Sequence, residues 1–178
     1  MTVRLAFAAW ILLAAPAFAD WQPDAGDDLQ TASSAALIEL REAGGDEFET
    51  MFDEAIAFAV FPRLVRTGVL FGWASGRGIL VVNGKFVGYV RQRRFSLGAQ
   101  VGRQTQGQVI LFRDRETVEL FKAGGLEFTP QASVHARKPR RAADGSFRPS
   151  VAVFSLSQKG LMAEAAIGAT AFKFIEPE

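Results

Sequence analysis

Residues 78–101 read GILVVNGKFVGYVRQRRFSLGAQV, and they decide the fold. Two apolar runs flank Asn83-Gly84. Asn-Gly between strand-like runs is the strongest short hairpin signal, because both central residues of a type I′ turn need positive φ. Beyond the turn, Val87, Tyr89, Arg91, Arg93, Phe95, Leu97, Ala99 and Val101 share one face of a long strand. Ser96, Gly98, Gln100, Gly102 and Gln104 take the other face. Upstream, Gly68–Ala74 and Arg77–Val82 read as apolar runs separated by a Ser75-Gly76 turn, and Phe61-Pro62 ends an earlier element.

Downstream, Gln108–Phe112 is a strand, and Asp114–Phe121 a short helix capped by Asp114 and closed by Gly124-Gly125. Glu127–Val134, Val151–Leu156, Leu161–Ile167 and Ala171–Ile175 are further strands. Before the strands, Leu29–Ala43 carries a helical pattern that Gly44-Gly45 stops. Asp46 opens a second helix with Glu49 placed for a capping box, and Phe48, Met51, Phe52, Ala55 and Ile56 form its apolar stripe. The fold class is α+β: an antiparallel β-rich body of about eight short strands, two N-terminal helices and one short internal helix.

The chain has 178 residues, no Cys and one His. Missing Cys removes disulfides, zinc-thiolate sites and thiol nucleophiles together. A lone His135, with no G-x-S-x-G elbow, offers no triad, and Glu164 is a single carboxylate without the partner of glycoside chemistry. The glycines at 72, 76 and 78 lack the order and the Lys of nucleotide loops. No enzyme, metal or cofactor is expected. Net charge is +1, which argues against a nucleic-acid partner.

Residues 1–19, MTVRLAFAAWILLAAPAFA, have the build of a secretory signal peptide, with Arg4, an apolar run from Leu5 to Ala15 and Ala17-Phe18-Ala19 for cleavage. The run is shorter than the about 20 residues a membrane helix needs. The expected organisation is a signal peptide at 1–19, a flexible leader at 20–28 and one domain at 29–178. The expected location is the periplasm or cell envelope, soluble or peripheral.

Charge is unevenly spread. From Asp20 to Glu54 eleven acids face the single Arg41, a net −10, whereas from Arg63 to Arg148 sixteen bases face five acids, a net +11. The densest basic stretch holds Arg137, Lys138, Arg140 and Arg141, with Phe147 and Arg148 following. Guanidinium groups grip phosphate bidentately and Phe147 supplies an apolar contact; a solvated hairpin loop explains the same residues. Arg91, Arg93 and Arg94 form a second cluster, with Arg94 pointing away from the other two; discouraging edge pairing is the plainer reading.

An ordered set of segments resembles the SYLF domain family. Ala55-Ile56-Ala57-Phe58-Ala59-Val60-Phe61-Pro62 leads into Gly68-Val69-Leu70-Phe71-Gly72, then Gly76-Arg77-Gly78-Ile79-Leu80 and Asn83-Gly84. Ser96-Leu97-Gly98-Ala99-Gln100-Val101-Gly102 precedes Val109-Ile110-Leu111-Phe112, with Lys159-Gly160-Leu161-Met162 near the end. The likeness runs from Leu29 to Ile175. It implies a β-rich α+β domain with N-terminal helices that binds anionic lipids. Eukaryotic members use a basic N-terminal helix, whereas the corresponding region here is acidic, so lipid affinity is expected from the basic body. The expected headgroup contacts are Arg91, Arg93, Arg94, Arg137, Lys138, Arg140 and Arg141, with Phe147 touching the membrane. The alternative is an envelope scaffold that binds another protein.

Overall fold

In a computed structural model, Asn83 and Gly84 take φ of 48° and 71°, the left-handed pair a type I′ turn requires. The structure describes residues 21–68, 71–97, 102–128, 134–136, 150–157, 160–163 and 169–177. The expected signal peptide, the basic stretch from Arg137 to Arg148 and Glu164 lie outside the described residues. No described helix is long and apolar enough to cross a membrane.

The turn joins β2 (Phe71–Val82) to β3 (Lys85–Leu97), and β1 (Ala57–Gly68) lies on the other side of β2. Next, β4 (Gly102–Phe112) returns beside β1, so the order β4-β1-β2-β3 is a Greek key. The sheet is completed by β7 (Val151–Ser157) and β8 (Gly160–Ala163) beyond β4, and by β9 (Ala169–Ile175) beyond β3, every pair antiparallel. The residue stretch expected as one strand, Glu127–Val134, instead supplies two short arms, β5 (Leu126–Phe128) and β6 (Val134–Ala136), which pair separately.

The α+β class holds, but nine strands are described where about eight short ones were expected, β1 to β4 are 11 to 13 residues long, and two expected breaks are absent. Pro62 does not end β1. The ladder to both neighbours skips at Phe61–Arg63, and this bulge absorbs the residue that has no N–H to give. Nor do Ser75-Gly76 turn the chain. They lie inside β2, where a Cβ on Gly76 would stand 2.5 Å from Leu64 Cδ2, so the glycine serves close approach of β1. Ser96 and Gly102, expected on one long strand, lie on two: β3 is described to Leu97 and Gly102 opens β4.

The two expected helices run directly into one another as α1 (Asp28–Glu54), broken at Gly45 with φ 57° and ψ −152°. At the break Gly44 sits against Phe48, where a Cβ would stand 2.4 Å from Phe48 Cβ. Glu49 does not close a capping box; its carboxylate takes the Arg41 Nε and Nη2 donors at 2.8 and 2.6 Å across the break. Ahead of α1, Trp21 lies edge-on to Phe58 and Asp27 caps the helix, accepting from the Leu29 and Gln30 amides. As expected, Asp114 caps α2 (Arg115–Lys122), accepting from the Thr117 amide at 2.8 Å.

Each helix covers one face of the sheet. Leu37, Leu40, Phe48 and Phe52 of α1 bury Phe58, Val60, Ile79, Val81, Val109, Leu111 and Phe154. On the opposite face, Val118 and Phe121 of α2 bury Phe61, Phe112 and Phe172, with Phe121 4.9 Å from Phe112 and 4.7 Å from Phe172. A fully buried Phe is worth about 1.5–3 kcal/mol, so these two aromatic layers carry much of the fold.

Candidate functional site

The seven strands of the main sheet contain nine Lys and Arg and no Asp or Glu. By contrast, α1 carries eight acids and one Arg. That contrast has a geometry, because α1 covers only the half of its face nearest the Asn83-Gly84 turn.

The other half is open, and strand register orders what it presents. Arg63 pairs with Arg77, Arg77 with Arg91, and Arg91 with Lys173. Paired residues project to the same side, so four cations form one row across β1, β2, β3 and β9. All four are exposed. At about 4.8 Å between strands the row is about 14 Å long. Arg93, two residues beyond Arg91 on β3, adds a fifth exposed cation to this face. Among the described residues, no carboxylate forms an ion pair with any of the five; the ion pairs seen are Arg41–Glu49, Arg113–Glu54 and Lys122–Glu119. Like charges directly opposite one another destabilise a sheet, so an uncompensated row is a feature that folding alone does not favour.

One further row along, Trp73 pairs with Phe95, and both rings are open to solvent at 48% and 44%. At the covered edge of the row, Tyr89 donates its hydroxyl proton to Asp27 Oδ2 at 2.6 Å, tying the start of α1 to β3. Burial pushes the Asp27 carboxyl up, but the bonds from Tyr89, Gln30 and Leu29 outweigh it and hold its pKa below 3.8. The same bond, helped by burial, pushes the Tyr89 hydroxyl above 10.0.

Of the residues expected from sequence, the structure brings Arg91 and Arg93 together on this face. Arg94 is 5% exposed on the opposite face, among Gln92, Gln108, Thr170 and Phe172. It therefore stands apart from them, in a space with room for about one water. There Gln108 Nε2 donates to Ser155 Oγ at 3.0 Å. Arg137, Lys138, Arg140, Arg141 and Phe147 lie outside the described residues. Glu127 and His135 pair in register in the β5–β6 hairpin. Among the described residues, no three His, Asp or Glu side chains gather to hold a metal. A groove of about 190 Å³ beside α2, lined by Val82, Val87, Val118 and Arg115, opens on the other face of the sheet.

Sequence reasoning missed Arg63, Arg77 and Lys173. They are scattered along the chain, and only register aligns them. The one available signal was the Asn83-Gly84 turn. Counting back from it without a bulge sets Val90 opposite Arg77, and the irregularity at Leu80/Val81 moves Arg91 there instead.

No family model matches the chain. It is 27% identical over 146 residues to Beta cell expansion factor A of Aeromonas veronii, an alignment covering 81% of this chain and 55% of that protein. The chain thus spans about half the length of the curated relative it matches.

Proposed function

We propose that this chain is a non-enzymatic, exported SYLF-like module that binds anionic phospholipid through the open half of its sheet. The observation that carries the reading is the row Arg63–Arg77–Arg91–Lys173, kept uncompensated although it opposes folding. Arginine forks match phosphate oxygens in pairs, and four strands hold them at fixed spacing. Each cation near an anionic leaflet contributes about 1 kcal/mol, so five give about 5 kcal/mol, a weak and salt-sensitive attachment. The SYLF assignment belongs to this proposal. It rests on the ordered motifs and on the likeness to the Aeromonas protein. Export rests on residues 1–19.

Co-sedimentation with vesicles tests the reading. The expected result is pelleting with vesicles rich in phosphatidylglycerol, little with phosphatidylcholine alone, and loss of the difference in an Arg63→Gln/Arg77→Gln/Arg91→Gln variant. Equal pelleting with both vesicles refutes it, and a protein captured at high salt without lipid favours the scaffold alternative.

A further inference from the structure

The open half-face is layered along its strands. Trp73 and Phe95 stand nearest the strand ends that lie away from the Asn83-Gly84 turn. Arg93 is two residues further in, about 7 Å, and Arg77 is four residues from Trp73, about 13 Å. Beyond the row comes α1 with its eight acids. From the strand ends inward, the order is aromatic pair, cations, acids.

Resting on the headgroup reading above, we infer that the module seats end-on in a bilayer, with Trp73 and Phe95 entering the boundary between headgroups and acyl chains. Interfacial elements bury apolar surface about 5–10 Å into that boundary, which is close to the offset between the ring pair and Arg93. Trp suits the depth because its ring is apolar and its N–H is a donor. With the rings at the boundary, Arg93 lies at phosphate level and the row of four stands about 6 Å further out, within reach of the headgroups on extended side chains. Charge orients the approach in the same sense, since a flat approach brings the acids of α1 toward anionic lipid and an end-on approach holds them away. A soluble polyanion is served by the cations alone, whereas the exposed rings give a bilayer something a polyanion lacks. Among the described residues, four large apolar side chains are exposed, and the two aromatic ones are cross-strand partners on this face.

The test uses the full chain and its Trp73→Phe variant, with phosphatidylglycerol vesicles carrying brominated acyl chains and, separately, inorganic polyphosphate. The difference between the two emission spectra isolates Trp73. Expected is a blue shift and bromine quenching of that difference signal on vesicles and neither on polyphosphate. A Trp73→Ser/Phe95→Ser variant, checked by thermal melting, is expected to lose roughly tenfold or more in vesicle affinity while its polyphosphate affinity is unchanged. Vesicle binding with Trp73 emission unmoved overturns end-on seating and leaves the headgroup reading standing. Binding of polyphosphate without vesicles overturns the bilayer as partner. Binding of neither ends the headgroup reading and the seat with it.

Discussion

Replacing Arg77 by Gln is expected to stabilise the protein and weaken its hold on anionic vesicles at the same time. Arg77 stands in the middle of the row, with Arg63 opposite on one side and Arg91 on the other. Their Cβ atoms lie about 5 Å apart, and the exposed side chains splay, so a separation of about 7 Å between charges is reasonable. In bulk water that is about 0.6 kcal/mol of repulsion per pair, or about 1.2 kcal/mol for both. A screening length of about 8 Å at physiological salt reduces the sum to roughly 0.5 kcal/mol. Removing the charge therefore raises Tm by about 2–4 °C at low salt and by about half that at physiological salt. Gln keeps part of the aliphatic stem, so packing changes little. The same substitution removes one cation from the lipid face and lowers vesicle affinity about fivefold. Thermal melting at two salt concentrations and co-sedimentation read both effects. A fall in Tm, or vesicle binding that does not change, refutes the reasoning.

Three further outcomes follow from the packing. Phe121→Ala removes a fully buried ring wedged between Phe112 and Phe172 and is expected to cost about 3–5 kcal/mol in urea unfolding. Gly78→Ala places a Cβ 2.2 Å from the Val60 carbonyl oxygen and 2.7 Å from Phe61 Cδ1, for a loss of about 1–3 kcal/mol. Gly107→Ala, whose nearest atoms stand 3.9 and 4.0 Å away, is the near-neutral control for the same unfolding measurement. The Asp27–Tyr89 bond sets a pH dependence at both ends. The Asp27 pKa is lowered on folding, so its contribution is complete above 3.8 and is lost as pH falls through the folded value. The Tyr89 pKa is raised, so its contribution is complete below 10.0 and is lost as pH rises through the higher folded value. Stability followed against pH is expected to lose part of its alkaline decline in Tyr89→Phe and part of its acid decline in Asp27→Asn.

Local chemistry was readable wherever one short segment decides its own conformation. Asn83-Gly84 demanded its turn, Asp114 its cap, and Gly44-Gly45 the break in α1. The same local logic misled at Pro62 and Gly76, because a neighbouring strand resolved each conflict. A bulge accommodates the missing N–H of Pro62, and the small size of Gly76 admits Leu64 from β1. The candidate site was the least legible part for a related reason. Arg137 to Arg141 drew notice because its charges are contiguous, whereas Arg63, Arg77, Arg91 and Lys173 become neighbours only after three strand pairings, two of them shifted by bulges. Arg91 and Arg93 were found because alternation along a single strand was enough to place them on one face.

The most direct test of the central claim is the affinity of the folded chain for phosphatidylglycerol vesicles as ionic strength rises from about 0.01 M to about 1 M, over which the screening length falls from about 30 Å to about 3 Å. A row of open cations meeting phosphate predicts an affinity that falls steadily with salt, and a shallower fall in Arg77→Gln than in the unaltered chain. Affinity that holds constant across that range, or falls with the same slope in both proteins, contradicts it.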